Sequence, residues 1–171
     1  MGVNVIGGVA ASAKTRYVAS LTSGTSWTVP AGVNYVNVMC VGGGGGGHGN
    51  SDGGDGGTTT FSTISALGGK GAYASGAYNY YPSASGLNGA NGNGAGGHCV
   101  FGGGQYGHSS FQARGQNGNV SYGTVNTTPG GSVTYSVGTG GGGGSAYHNN
   151  NGQTFYGGSG GAGRIDVEYW L

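Results

Sequence analysis

The sequence predicts an all-β protein, a small β-sandwich-like strand framework carrying long glycine-rich loops. Three observations predict it. Four segments alternate apolar and polar residues with the two-residue period of a half-buried strand. Pro/Gly turn chemistry stands directly before two of them. Glycine supplies 47 of the 171 residues, against a usual share of about 7%.

The first strand is expected over 25–29, ending at Pro30. In Pro30-Ala31-Gly32 the proline pre-sets φ and the glycine is free to take a positive φ. The second strand follows over 33–41, with Val36, Val38 and Cys40 sharing one face. Pro129-Gly130-Gly131 is a second turn. It introduces a strand over 132–137, with Val133, Tyr135 and Val137 inward and Thr134 and Ser136 outward. The last strand, 164–170, has the cleanest alternation: Ile165, Val167 and Tyr169 on one face, and Arg164, Asp166, Glu168 and Trp170 on the other. Residues 9–21 could form a short helix or a docking strand. Residues 1–22 are therefore read as an N-terminal docking segment, and 23–171 as a single glycine-rich β domain.

Between the second and third strands the chain is dominated by Gly, Ser, Asn and Tyr. Gly42–Gly47 are six consecutive glycines and Gly140–Gly144 five more. Elsewhere glycine recurs every third residue, as in Gly86, Gly89 and Gly92, or Gly157, Gly160 and Gly163. Three residues per turn is the repeat of an extended polyproline-II-type helix, which has no internal hydrogen bonds. Where glycine faces each neighbour, such helices can pack side by side and bond to one another as polyglycine-II. A flexible linker is the competing reading. Against it stand the many aromatics in the tract, its near absence of charge, and the strands that anchor both ends.

Composition excludes several classes. There are five basic and four acidic residues and three prolines. Collagen needs a strict Gly-X-Y period and abundant Pro. A phosphate-tracking surface needs clustered Lys and Arg, so nucleic acid is not an expected partner. No apolar run approaches the length of a membrane-spanning helix, so no membrane insertion is expected. Two cysteines, Cys40 and Cys99, make no disulfide framework in a chain of this length, and Cys40 in an apolar strand reads as a buried free thiol.

No motif points to catalysis, metal or cofactor. Gly102-Gly103-Gly104-Gln105-Tyr106-Gly107 matches G-x-G-x-x-G, but lacks the preceding strand and following helix of a dinucleotide site. His48, His98, His108 and His148 lie near the ends of glycine stretches without zinc spacing, and read as polar loop-tip residues rather than ligands on an oligomer axis. Asp52 and Asp55 could touch calcium, yet too few oxygen ligands stand beside them. Arg164, Asp166 and Glu168 read as exposed ion-pair partners.

The feature most like a binding surface is Ala72–Pro82, with Tyr147–Asn151 beside it. Tyrosine offers wide contact area and a hydroxyl at low entropic cost, and Ser, Gly and Asn add adaptable hydrogen bonding. The candidate receptor-binding residues are Tyr73, Tyr78, Tyr80, Tyr81, Tyr106, His108, Tyr147, His148 and Asn149. The competing reading has these tyrosines as fillers between glycine helices.

The run from Ser23 through Trp27-Thr28-Val29-Pro30-Ala31-Gly32-Val33, then Val36-Asn37-Val38 and the six glycines, resembles the start of the glycine-rich domain of phage and prophage tail proteins. Pro129-Gly130-Gly131, Val137-Gly138-Thr139-Gly140-Gly141 and the closing Gly157–Trp170 segment are similar to its end. The resemblance covers 23–48 and 129–171; residues 50–128 match in composition only. It implies a virion protein of the tail fibre, spike or tail tip, assembled in the host cytoplasm and meeting the host surface through variable loops. A homotrimer, other virion tail proteins, and a host glycan or outer-membrane protein are the implied partners. The alternatives are a virion capping or decoration subunit that does not touch the host, an ice-binding protein, and an extracellular glycine-rich structural protein.

Overall fold

The computed structural model describes residues 14–47, 51–72, 115–145, 147–148, 154–155 and 158–171, and all its regular elements are strands. The first sheet has the order β1-β10-β3-β6 and the second β2-β7-β4-β5; a third pairs β8 with β9. In the first sheet lie β1 (Arg16–Leu21), β3 (Tyr35–Val41), β6 (Val120–Asn126) and β10 (Arg164–Trp170). In the second lie β2 (Ser26–Thr28), β4 (Thr59–Phe61), β5 (Ile64–Ala66) and β7 (Ser132–Ser136). The short hairpin pairs β8 (Tyr147–His148) with β9 (Thr154–Phe155). Every pairing is antiparallel.

The four strands expected from alternation are β2, β3, β7 and β10. In β3, β7 and β10 the inward residues are the expected ones. Val36, Val38, Cys40, Ile165 and Val167 from the first sheet meet Phe61, Ala66 and Tyr135 from the second in one core. Phe61 lies at its centre, fully buried, with its ring centroid 6.1 Å from that of Trp27 and 6.4 Å from that of Tyr135. Fully burying a side chain of this kind contributes about 1.5–3 kcal/mol. Gly123 of β6 admits the second sheet, since a Cβ there would stand 2.8 Å from Ile64 Cδ1 of β5.

Both predicted turns form. Val33 N donates to Pro30 O at 3.2 Å with Gly32 at φ 85°, and Gly131 N donates to Thr128 O at 2.9 Å with Gly130 at φ 72°. Glycine at the third turn position is what this positive φ requires. The second turn also extends the β2–β7 ladder, because Val29 N donates to Gly131 O at 2.9 Å.

Of the two readings of residues 9–21, the strand is the one found. Arg16–Leu21 pairs along β10 from Arg16↔Trp170 to Leu21↔Ile165, and stacks Tyr17 on Tyr169 with centroids 5.5 Å apart. Alternation over Val18, Ser20 and their neighbours is present but short, and the strand sits at a sheet edge with weak burial, so its sequence carries little core signal. β4, β5 and β6 were not expected. Two are three residues long, and β6 carries Gly123 and polar residues at facing positions.

Candidate functional site

Six strands run straight into or out of a glycine-rich segment. β3 continues as 42–47, β5 as 67–72 and β7 as 138–144; 53–57 leads to β4, 115–119 to β6 and 158–163 to β10. None of these segments is itself a strand, yet their backbones are joined by hydrogen bonds with a three-residue rhythm.

The segment 42–47 is the hub and is buried along its length. Its amides donate in rotation to three neighbours. Gly42 and Gly45 reach Asn119 O and Gln116 O; Gly43 and Gly46 reach Gly57 O and Gly54 O; Gly44 and Gly47 reach Gly161 O and Gly158 O, all at 2.7–2.9 Å. Two further neighbours donate back. Gly69 and Ala72 reach the carbonyls of Gly43 and Gly46, and Gly141 and Gly144 those of Gly44 and Gly47. The outer segments are also joined to one another, for example Gly57 N to Thr139 O at 2.7 Å and Gly163 N to Gly138 O at 2.8 Å.

Backbones this close leave no room for side chains. A Cβ would fall 1.9 Å from Gly142 O at Gly46, 2.1 Å from Thr139 O at Gly43 and 2.1 Å from Lys70 O at Gly45. The one residue in three that points away from the hub is free to vary: Asp55, Lys70, Thr139 and Ser159 are all exposed. Asp55 and Lys70 meet across two segments at 2.6 Å, and Gly71 N donates to the same carboxylate at 2.9 Å. These two contacts hold Asp55 below the usual carboxylate value of 3.8.

The hydrogen-bond register orients the bundle. Residues 42, 57, 67, 119, 138 and 163 lie at the end next to the sheets. Residues 47, 53, 72, 116, 144 and 158 lie at the opposite, distal end. The connections 47–53, 72–115 and 144–158 therefore all leave the bundle distally. Ser51 Oγ accepts from Ser145 N at 2.9 Å there, tying two of them together.

Of the candidate receptor-binding residues, Tyr147 and His148 form β8, paired in register with Phe155 and Thr154 of β9 in the distal connection 144–158. Tyr73, Tyr78, Tyr80, Tyr81, Tyr106, His108 and Asn149 lie outside the described residues, as do Cys99, His48, His98 and the G-x-G-x-x-G run. Sequence reasoning missed the Asp55–Lys70 pair and the serine tie. The one legible signal was the G-x-G-G run Gly54–Gly57, whose x residue, Asp55, is exposed.

Arg164 pairs with Asp166 at 3.0 Å and Arg16 with Glu168 on the outer face of the first sheet. Cys40 is a buried free thiol, and burial pushes it up to about 11. Among the described residues no three His, Cys, Asp or Glu side chains gather closely enough to hold a metal ion.

No protein-family model, no curated protein and no solved structure matches this chain.

Proposed function

We propose that the protein is a non-enzymatic bacteriophage virion component of the tail tip or tail fibre that contacts the host cell surface through its distal connections. One observation carries this reading. Both connections that hold the candidate Tyr, His and Asn residues, 72–115 and 144–158, leave the glycine bundle at the end away from the sheets. A tip that must touch a surface needs its contact residues gathered at one pole on a rigid support.

The six glycine segments are read as polyglycine-II helices. Their extended form outside any strand, their bonding between segments and the rotation of donors every third residue support this. Such a support holds its loops in place before contact, so less ordering entropy is lost on binding. Tyr, Asn, Ser and His then recognise a host glycan or outer-membrane protein by stacking and hydrogen bonding. With so few charges, adsorption is expected to change little with salt. Assembly in the host cytoplasm, with other tail proteins and as a homotrimer, belongs to the same proposal.

The test is competition. Purified protein added in excess should block adsorption of the phage that carries it, and replacing Tyr78, Tyr80 and Tyr81 together by Ala should abolish the block. Full competition by the triple variant, or none by the parent protein, would favour a capping or decorating subunit that never touches the host.

A further inference from the structure

The first sheet has two open edges, β1 and β6. Thr15 and Leu171 exchange both hydrogen bonds of a pair, at 2.7 and 3.0 Å. Counting on in twos, Tyr17, Ala19 and Leu21 bond to β10, and the amides and carbonyls of Arg16, Val18 and Ser20 point out of the sheet. On the other edge Thr127 N donates to Asn34 O at 2.8 Å and Gly42 N to Asn119 O at 2.9 Å. The odd-numbered residues of β6 therefore bond to β3, and the backbones of Val120, Tyr122, Thr124 and Asn126 point out. No described segment bonds its backbone to either set. Open edges are normally blunted by proline, charge or shortness. β6 has seven residues, no proline and no charge; β1 has six, and its one charge, Arg16, is held by Glu168 of the neighbouring strand. Both edges instead expose large side chains, Tyr122 at 73% and Val18 at 50%.

We propose that copies of this chain join head to tail, β1 of one pairing antiparallel with β6 of the next, to close a ring whose glycine bundles lie side by side and point the same way. The choice among edge pairings rests on the reading that the distal connections meet one surface. β1 runs toward the bundle, since Leu21 lies opposite Ile165 just after segment 158–163, and β6 runs away from it, starting after 115–119. Two β1 edges, or two β6 edges, joined antiparallel would point their bundles in opposite directions. β1 and β6 from copies that point the same way are already antiparallel.

The rows of the sheet supply the register. Val18, Glu168, Asn37 and Thr124 form one row across all four strands, and Ser20, Asp166, Met39 and Tyr122 the next. Carrying the rows on into the next copy sets Val18 opposite its Thr124 and Ser20 opposite its Tyr122. The backbones of all four point out of their edges, so each pair exchanges two hydrogen bonds. Their side chains share the outer face of the sheet, where Tyr122 falls diagonal to Val18, within reach of an aromatic ring. Each covers apolar surface that the other exposes. No like charges meet, because β6 carries none. A head-to-tail contact of this kind closes a ring when its rotation closes, and the homotrimer proposed above is one such ring.

The test is disulfide trapping in the full-length chain carrying Cys99→Ser. Residues of a hydrogen-bonded antiparallel pair have Cα atoms about 5.5 Å apart, inside the range a disulfide spans. The double variant Val18→Cys/Thr124→Cys, oxidised after purification, should lose nearly all of its monomer band on a non-reducing denaturing gel. Each single variant should remain monomeric on that gel, and light scattering of the parent should give a fixed multiple of the monomer mass. Linked dimers from Val18→Cys alone or from Thr124→Cys alone would overturn the inference, since two like edges would then be paired. So would a parent that stays monomeric by light scattering, whatever the variants do. A linked ring that fails to compete for phage adsorption would instead overturn the host-contact reading and leave the ring standing.

Discussion

Replacing Gly46 by Ala adds one methyl group at the most crowded point of the bundle. That Cβ would lie 1.9 Å from Gly142 O, 2.6 Å from its carbonyl carbon and 3.0 Å from Gly141 O. An ordinary C···O contact is about 3.3 Å, so roughly 1.4 Å must be opened. Every obstructing atom is backbone, and no side chain can swing aside. Moving segment 138–144 stretches the bond from Gly54 N to Gly142 O at 2.7 Å. Moving the hub instead stretches those from Gly46 N to Gly54 O at 2.8 Å and from Ala72 N to Gly46 O at 2.9 Å. One or two bonds at about 0.5–1.5 kcal/mol each, with overpacking strain of about 1–3 kcal/mol, give a loss of about 1.5–6 kcal/mol. At about 2–4 °C per kcal/mol for a chain of this size, thermal unfolding followed by circular dichroism should show a fall of at least about 3 °C. Gly142→Ala is the matched comparison, because a Cβ there meets nothing within 4 Å. It should stabilise by about 0.4–1 kcal/mol through the unfolded state. If Gly46→Ala melts within about 2 °C of Gly142→Ala, close backbone packing is not what holds the bundle together, and the reasoning is wrong.

Two smaller predictions accompany it. The Lys70 ammonium and the Gly71 amide lower the Asp55 pKa in the folded state, so this carboxylate adds stability above its unfolded value and loses it as pH falls through the folded one. The pair is exposed and worth under about 1 kcal/mol. Asp55→Asn should therefore shrink the parent's drop in melting temperature between neutral and strongly acidic pH by a small amount; an unchanged pH profile would remove Asp55 from the account. Cys40, buried and pushed up to about 11, should be inert to a thiol reagent near pH 8 in native Cys99→Ser protein and react fully in denaturant. Fast native labelling would mean that the β3 face opens readily.

Legibility in the sequence followed burial. β10 was readable because Ile165 and Val167 are fully buried while Arg164, Asp166 and Glu168 face outward. β3 and β7 were readable for the same reason, and the two Pro/Gly turns because a positive φ at the third position selects glycine. β4 and β5 were not, since three residues cannot display a period. β1 was ambiguous because it is an edge strand in which only Ala19 and Leu21 are partly buried against the core, too few positions to display a period. For the candidate site, the sequence offers residue types, but the common end at which their connections leave the bundle was not legible. Nothing in the spacing of residues 47–53, 72–115 and 144–158 says that they share one end.

The sequence by itself determined the strand faces, the turns and the glycine positions, because each depends on a local property: two-residue alternation, a fixed φ or a missing Cβ. It also carried the three-residue rhythm of Gly115 and Gly118, or Gly160 and Gly163. Only the tertiary structure decided which glycine segments are neighbours. Those bonds join backbone groups far apart in the chain, as Gly44 N to Gly161 O does at 2.8 Å. Backbone amides and carbonyls are alike at every residue, so partner choice comes from the strands. The sheets set six chain ends side by side, and the glycines, having no side chains in the way, bond wherever the sheets aim them.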